Sequence, residues 1–205
     1  MADHYFSAAP ASAAERRGRT VRLAGRDVDV TTAGGVFSPE HVDTGTRVLL
    51  DHVPEPPSGD LLDLGCGWGP ISLDAALRAR GADSAVRVWA LDVNERALQL
   101  TADNAAALGL TNVNAVTVAD VPADLGFSAI WSNPPIRVGK AVLHDMLLTW
   151  LPRLEPGASA HLVAAKKLGA DSLLRWLDSE LGAEFSAERT ATAKGFRVLR
   201  VDRAA

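Results

Sequence analysis

The sequence predicts an α/β domain built on a doubly wound, mostly parallel sheet of seven strands, and three observations predict it. Apolar runs of strand length alternate with helical periodicity along most of the 205 residues. Such alternation requires right-handed crossovers and a mostly parallel sheet. The apolar run 61–64 leads into the alternating glycines of 65–69, which open a helix. Finally, Asp92, Asp120 and Asn133 stand at the ends of three predicted strands, where parallel sheets bind their ligands.

The composition fits one domain with a substantial core, since 47% of the residues are hydrophobic. The one cysteine, Cys66, excludes an intramolecular disulfide and a cysteine-clustered zinc site. This fits a reducing cytoplasm, which is the location we expect, or a secreted protein that lacks disulfides. The five histidines lack metal-ligand spacing, and no stretch is long and apolar enough to span a membrane. We therefore expect no metal and no membrane partner, and we expect a monomer.

Two arginine-rich segments interrupt an otherwise acidic chain of net charge −4. A negative total argues against nonspecific coating of nucleic acid. Either segment can be a solvated face or a surface that contacts phosphates, and the sequence leaves both open. The segments consist of Arg16, Arg17, Arg19, Arg22 and Arg26, and of Arg189, Lys194, Arg197, Arg200 and Arg203.

The N-terminal quarter is predicted to form a flexible arm at 1–20 and a small flap at 21–55, ahead of the main domain at 56–205. The arm is rich in Ala and Ser. The flap pattern predicts a short β-hairpin, a flexible glycine loop, and a helix from Asp43 to His52 that a proline run ends.

The first half of the main domain follows from its caps and breakers. Pro70 suits the first turn of the helix predicted over 71–80, and Gly81 ends it. After the strand at 86–92, Asn94 caps a helix that continues to Gly109.

The second half continues the alternation. Strands are predicted at 113–119, 127–132 and 159–164, and two more at 184–189 and 196–201. The 3.6-residue spacing of apolar side chains predicts two intervening helices. One helix carries Leu143, Leu147, Trp150 and Leu154 on one side, and the other spans 171–181.

The glycine segment differs from a dinucleotide-binding loop. That fingerprint requires Gly-x-Gly-x-x-Gly, whereas here Gly65, Gly67 and Gly69 alternate and Pro70 takes the place of the third glycine. A pyrophosphate site is therefore disfavoured. The motif Asn133-Pro134-Pro135 also has no evident use in hydride transfer.

These residues carry a family resemblance. The segment 63–69 resembles the first motif of class I S-adenosylmethionine-dependent methyltransferases, and Asn133-Pro134-Pro135-Ile136 is similar to their amino-methylating motif. The segment 34–38, with Asp43 and Gly45, resembles the small-domain group that includes the ribosomal RNA small subunit methyltransferase C type. The segments 133–140 and 195–200 are similar to a compact, single-domain archaeal-type branch of it.

The resemblance implies a Rossmann-like fold, S-adenosylmethionine as cofactor, and transfer of its methyl group to an exocyclic amino nitrogen. Asn133, Pro134 and Pro135 would be catalytic, with the Asn133 oxygen and the Pro134 carbonyl accepting hydrogen bonds from the target amino group. The predicted cofactor-binding residues are Asp63, Gly65, Cys66, Gly67, Gly69, Asp92, Val93, Asp120, Val121 and Asn133. Among them, Asp92 would receive the ribose hydroxyls and Asp120 the adenine amino group.

The substrate side follows the family pattern less closely. Ile136 stands where amino methyltransferases usually carry an aromatic residue, and the second domain of the methyltransferase C type has no counterpart here. The predicted substrate-binding residues are Phe37, Ile136, Arg137 and Lys140. Guanine in ribosomal RNA is the leading substrate, so RNA or the ribosomal small subunit is the expected partner. Two alternatives stay open: methylation of a protein glutamine amide or a small metabolite, and a non-catalytic cofactor- or RNA-binding module.

Overall fold

A computed structural model describes residues 15–82 and 85–205, and it confirms the predicted seven-stranded sheet. The strand order is β5-β4-β3-β6-β7-β9-β8, in which β9 alone runs antiparallel to its neighbours. A separate antiparallel hairpin, β1-β2, precedes it. The strands are β1 (Arg16–Leu23), β2 (Arg26–Ala33), β3 (Gly59–Leu64), β4 (Val86–Leu91), β5 (Val113–Val116), β6 (Phe127–Ser132), β7 (Leu154–Ala165), β8 (Phe185–Ala193) and β9 (Phe196–Arg203).

Helices cover both faces of the sheet, as a doubly wound fold requires. Three helices and the hairpin share one hydrophobic core, and two helices share the core of the opposite face. The first face carries α1 (Thr44–Leu50), α2 (Pro70–Ala82) and α3 (Glu95–Ala107), and the second carries α4 (Lys140–Trp150) and α5 (Ala170–Glu180). Short 3₁₀ turns join several elements, among them Val118–Asp120, Ile136–Val138 and Lys166–Leu168.

The N-terminal hairpin packs directly on the main domain. Leu23 and Val30 are buried in the same core as α2 and α3. Asn104 of α3 joins the two units, because its side chain receives the Thr31 amide and donates to the carbonyls of Thr31 and Trp68. A buried amide that satisfies main-chain groups of both units fixes the hairpin against the sheet.

Several element boundaries differ from the prediction. β1 begins at Arg16, so residues 16–20 belong to the hairpin and not to the predicted arm, and residues 1–14 lie outside the described chain. β5 ends at Val116 and not at 119, because Asp120 closes a capping box with Thr117. Leu154 begins β7 instead of extending the preceding helix.

Two further differences concern helix ends and membranes. α2 continues through Gly81 to Ala82, one residue beyond the predicted stop. Among the described residues, no helix combines the length and the apolar character that crossing a membrane requires.

Candidate active site

A large cavity of about 1010 Å³ lies at the carboxyl edge of the sheet. Strand order fixes the sequence of its walls: the ends of β5, β4, β3, β6 and β7 follow one another, and the start of β9 comes last. Val118 therefore lies at one end of this edge and Phe196 at the other, with Gly65 and Asn133 between them. Ligand pockets usually measure about 300–1,000 Å³, so this cavity has room for a nucleoside-sized cofactor and a second molecule.

The glycine loop, residues 65–69, follows the end of β3 and forms part of the cavity wall. Gly65, Gly67 and Gly69 have φ angles of 84°, 59° and 98°, in the left-handed region that residues with a Cβ rarely adopt. Gly65 and Gly67 line the cavity. Gly65 and Gly67 therefore bring the main chain to the cavity wall.

Asp92 holds this loop from the neighbouring strand. One carboxylate oxygen accepts the Gly67 amide at 2.9 Å, and the other accepts the Asn94 amide at 2.9 Å. Burial raises the pKa of Asp92, while these amide hydrogen bonds act in the opposite direction. The carboxylate lines the cavity and has more lone pairs than these main-chain amides use, so Asp92 can still receive a hydroxyl group.

Asp63 supports the loop from below and does not line the cavity. It is fully buried, and one of its oxygens accepts both the amide and the hydroxyl of Ser72, at 3.0 and 2.6 Å. Burial raises the pKa of Asp63 to about 7, with the Asp92 charge adding to the effect. Its position is that of a scaffold residue between β3 and α2.

Asn133 stands at the end of β6 with a fixed orientation. Its amide nitrogen donates to the Asp43 carboxylate and to the Thr46 hydroxyl, both at 3.0 Å. A carboxylate only accepts hydrogen bonds, so this contact identifies the nitrogen and leaves the oxygen on the other side. No described residue donates to that oxygen, and Asn133 lines the cavity.

The residues after Asn133 differ in one respect from the prediction. The Pro134 carbonyl already accepts the Ile136 amide at 2.9 Å, and Pro134 is buried. Only its second lone pair is left for a target amino group. Asn133 therefore supplies the more accessible acceptor, and the prolines hold it in a rigid turn.

Exposed apolar side chains gather at the cavity. Within the described chain, six large hydrophobic residues are exposed, and all but Leu148 line it: Phe37, Val93, Val118, Val142 and Leu168. Contiguous exposed apolar surface marks binding sites in monomeric proteins. Because the walls near β4 and β5 are apolar, they suit the flat faces of an aromatic ring system.

The loop at 34–38 is fastened over the same edge. The Trp68 indole donates to the Ser38 carbonyl at 3.1 Å, and the Asn94 side chain donates to the Gly35 carbonyl at 2.8 Å. Phe37, in this loop, lines the cavity at 37% exposure. The loop is thus tied to the glycine segment and to α3 at once.

The structure brings ten of the predicted site residues to the cavity wall: Phe37, Gly65, Gly67, Asp92, Val93, Asn133, Pro134, Pro135, Ile136 and Arg137. Six others lie outside that wall: Asp63, Cys66, Gly69, Asp120, Val121 and Lys140.

Each of these outlying residues has another local role. The Asp120 carboxylate bonds the amide and hydroxyl of Thr117 instead of facing the cavity, which lowers its pKa. Val121 is buried in the core, and a Cβ on Gly69 would come within 3.0 Å of Thr101. Cys66 is also buried, which raises the pKa of its thiol and disfavours a nucleophilic role. Lys140 is exposed at the start of α4.

Three site residues have no role assigned to them by the sequence reasoning: Asp43, Thr46 and Phe196. Asp43 caps α1 and also orients Asn133. Phe196 lines the cavity, and its ring presses on Gly45, where an added Cβ would lie 2.8 Å from the ring. The glycine at 45 was a usable signal, because a glycine within a predicted helix costs stability unless something approaches it closely.

Metal chemistry finds no support among residues 15–82 and 85–205. No group of three His, Cys, Asp or Glu side chains there is arranged to hold an ion. The cavity instead offers the half-buried carboxylate of Asp92, an oriented amide oxygen and apolar walls.

Comparison with known proteins gives one family. The methyltransferase small domain family matches residues 27–200. An uncharacterized protein of Bacillus subtilis, YbxB, is 35% identical over 204 residues, which cover 98% of each chain. Ribosomal RNA small subunit methyltransferase C of Stutzerimonas stutzeri is 33% identical over 96% of this chain and 57% of its own length. The chain thus spans little more than half of that relative.

Among solved structures, the 16S rRNA N2 G1207 methyltransferase of Thermus thermophilus, in complex with AdoMet and guanosine, superposes with a TM-score of 0.78. The identity is 23%, over 95% of this chain and 52% of that one. A putative methyltransferase of Escherichia coli, yhhF, superposes with a TM-score of 0.63 at 17% identity. At these identities the likeness concerns the fold.

Proposed function

The chain belongs to the methyltransferase small domain family of class I S-adenosylmethionine-dependent methyltransferases, and from that premise we propose that it methylates an exocyclic amino nitrogen. The proposed acceptor is guanine in ribosomal RNA. One observation carries the proposal: the Asn133 amide is locked with its oxygen free at the cavity, beside the glycine loop.

An oriented amide oxygen is the acceptor that an amino group requires. The nitrogen lone pair of an exocyclic amine is delocalised into its ring, which makes it a weak nucleophile. A hydrogen bond to the Asn133 oxygen draws one N–H out of the ring plane, and the lone pair can then point to the reacting methyl. The contribution is mainly positional, and well-oriented reactants can reach effective molarities on the order of 10⁵ M or more.

The order of the strand ends supports one orientation of a bound S-adenosylmethionine, with its adenine near β5 and its reacting methyl toward β6. Val93 and Val118 offer an apolar slot for adenine, Asp92 offers its carboxylate to ribose hydroxyls, and the main chain at Gly65 and Gly67 lines the side proposed for the methionine end. Asn133 follows on the next strand, about 5 Å along the sheet. These residues fit S-adenosylmethionine, so Asp92 and the loop would hold it and Asn133 would present the acceptor.

When bound by Asp92 and the glycine loop, S-adenosylmethionine would supply a sulfonium methyl group; the C–S bonding pair would stay on sulfur, with S-adenosylhomocysteine as the leaving group. The new N–C bond uses the lone pair of the acceptor nitrogen, and the nitrogen then loses one proton to water at the open mouth. The protein holds both reactants in line, and its apolar walls limit the access of water to the reacting atoms.

The choice of guanine and ribosomal RNA rests on the relatives. Ribosomal RNA small subunit methyltransferase C is the printed name of the Stutzerimonas stutzeri relative, and the Thermus thermophilus protein is described as acting on N2 of G1207. An amino group in a paired base is inaccessible, so the target guanine would be unpaired or flipped. A cytoplasmic location, the monomeric state and the boundaries of arm, flap and main domain remain predictions.

A second acceptor class is favoured by Ile136. An aliphatic side chain at the cavity can pack against a protein glutamine amide or a small metabolite as readily as against a base. This alternative would be favoured if no other aromatic residue of the cavity could stack on an acceptor base.

Methyl transfer from tritiated S-adenosylmethionine separates these acceptors. Naked ribosomal RNA, intact small subunits and total protein are each incubated with the enzyme, and we expect label in RNA or subunits. Digestion of labelled RNA to nucleosides then identifies the base, and N2-methylguanosine is the expected product. Label in protein alone would overturn the choice of RNA.

Asn133→Ala tests the role of the amide in the same assay. We expect at least about a 1,000-fold loss of kcat, with the dissociation constant for the cofactor within about threefold of wild type. Turnover close to that of wild type would contradict the assigned role of Asn133.

A further inference from the structure

Phe196 lies on the cavity wall at the end of the sheet edge away from Val118. The Asn133 side chain bonds Asp43 and Thr46, and the Phe196 ring rests on Gly45 between them in sequence. Phe196 is therefore next to the residues that orient the catalytic amide. Its half-buried ring lines the same cavity as Ile136.

Two turns that are hydrogen-bonded to each other precede Phe196 and flank it. Residues 194 and 195 form the two-residue turn between β8 and β9, since Ala193 pairs with Phe196. The Lys166 amide donates to the Gly195 carbonyl at 2.9 Å, which ties this turn to the turn Lys166–Leu168. We call these two turns and Phe196 the acceptor platform.

Positive charges on the acceptor platform are uncompensated. The side chains of Lys166, Lys167 and Lys194 form no ion pair or hydrogen bond with any described residue. Lys167 lines the cavity together with Leu168. Cations that find no carboxylate within the fold are free to meet an anion from outside.

We propose that the acceptor platform is the binding site for an unpaired nucleotide of an RNA strand, whose base stacks on Phe196 and whose flanking phosphates meet Lys167 and Lys194. Aromatic rings that stack bases, together with cations that follow the backbone, are how proteins hold single strands. Phe196 thus supplies the aromatic face that Ile136 lacks. The inference rests on the proposed function, whose acceptor it describes at the level of residues.

Binding without chemistry tests the platform separately from methyl transfer. A fluorescent, unstructured oligoribonucleotide containing guanine is titrated with enzyme saturated with S-adenosylhomocysteine, and anisotropy gives the dissociation constant. Phe196→Ala should weaken binding roughly 5- to 150-fold, the range that corresponds to the loss of one stacked base. Phe196→Trp should remain within about threefold of wild type.

Two controls separate stacking from packing. Phe196→Leu keeps the apolar volume against Gly45 but removes the aromatic face, and it should bind as weakly as Phe196→Ala. The dissociation constant for the cofactor should stay within about twofold of wild type in all three variants. Leucine binding as well as phenylalanine, or no RNA binding by the wild type, would overturn the inference.

The lysines are tested by the salt dependence of binding. Lys167→Ala and Lys194→Ala should each lower the slope of log K against log salt by about 0.7. Arg175→Ala, an exposed cation on α5 outside the cavity wall, should leave the slope unchanged. Equal slopes in all these variants would remove the phosphate contacts from the proposal. Label in RNA by the wild type judges the proposed function independently of these results.

Discussion

The cavity has two halves that are stabilised by different kinds of contact. The donor half is the part proposed to bind S-adenosylmethionine, and the acceptor half is the part proposed to bind the group that receives the methyl. On the donor side, Asp92 bonds the Gly67 amide from the neighbouring strand and Asp63 bonds Ser72 nine residues away. On the acceptor side, Asn133 is oriented by Asp43, ninety residues earlier in the chain. The donor half is thus a property of a short motif and its adjacent strand, whereas the acceptor half exists only once α1 and β9 have packed on the sheet.

Asp63→Asn removes the ionisable group buried beneath the donor half and should have the largest effect. The pKa of this carboxyl rises from 3.8 to about 7 in the fold. Its contribution to stability is therefore fully present below pH 3.8 and is lost as the pH rises to about 7. This loss corresponds to at most about 4 kcal/mol, from 1.36 kcal/mol per pKa unit.

The asparagine variant stays neutral and can keep the hydrogen bonds to Ser72. Its free energy of unfolding should therefore gain on that of the wild type as the pH rises from 4 to 8. Denaturant unfolding of both proteins across this range measures the difference. Parallel pH profiles would contradict a strongly raised pKa at Asp63.

Asp92→Ala should perturb the donor half directly and weaken cofactor binding. The carboxylate both fastens Gly67 and offers acceptors to the ribose, so its loss removes two hydrogen bonds to a charged group. At about 1.5 kcal/mol or more each, the dissociation constant for the cofactor should rise at least 100-fold. Calorimetry measures it, and Asp103→Ala, a surface carboxylate of α3, serves as control.

Asp43→Ser should perturb the acceptor half and leave the donor half unchanged. Serine keeps the helix cap of α1 but is too short to receive the Asn133 amide. Thr46 can accept or donate, so nothing then prevents the amide from turning its nitrogen to the cavity. We expect kcat to fall about 30-fold, or about 2 kcal/mol, with unchanged cofactor affinity.

Steady-state kinetics and cofactor titration test this division between the halves. Asp43→Asn, which retains an acceptor oxygen at the same position, should recover most of the activity. A loss of cofactor affinity equal to the loss of kcat would instead make Asp43 part of the donor half.

The difference between the halves also explains what the sequence could predict. Alternating glycines, a strand-ending Asp92 and the Asn133-Pro134-Pro135 motif carry their geometry locally, and the structure places them at one cavity. Asp43 and Phe196 act through contacts between distant segments; the glycine at 45 signals that something approaches α1 closely, but a single sequence does not say which residue does so. Asp120 resembles Asp92 in its position after a strand. Its carboxylate, however, accepts hydrogen bonds from the amide and hydroxyl of Thr117 and does not line the cavity.

The two arginine-rich segments show the same limit of prediction from sequence. The arginine-rich segments looked like possible phosphate surfaces, yet much of their charge is met by carboxylates within the fold. Arg16 pairs with Asp103 at 2.6 Å, and Arg200 pairs with Glu188 at 2.9 Å. Lys194 differs from its neighbours in the second segment, because it projects from a turn and not from a paired strand. Clustering in sequence therefore says less about nucleic-acid contacts than pairing in the fold.

Arg189→Ala should consequently have the smallest effect. Arg189 lies in the second arginine segment and pairs with Asp171 at 3.6 Å. Exposed ion pairs contribute about 0–1 kcal/mol, so the variant should fold normally. Because the guanidinium already faces the Asp171 carboxylate, which it shares with Arg197, we expect RNA affinity to change less than about twofold and its salt slope to stay constant. If Arg189→Ala lowered the slope as much as Lys167→Ala does, the arginine segment would belong to the RNA-binding surface, and the acceptor half of the cavity would extend along β8.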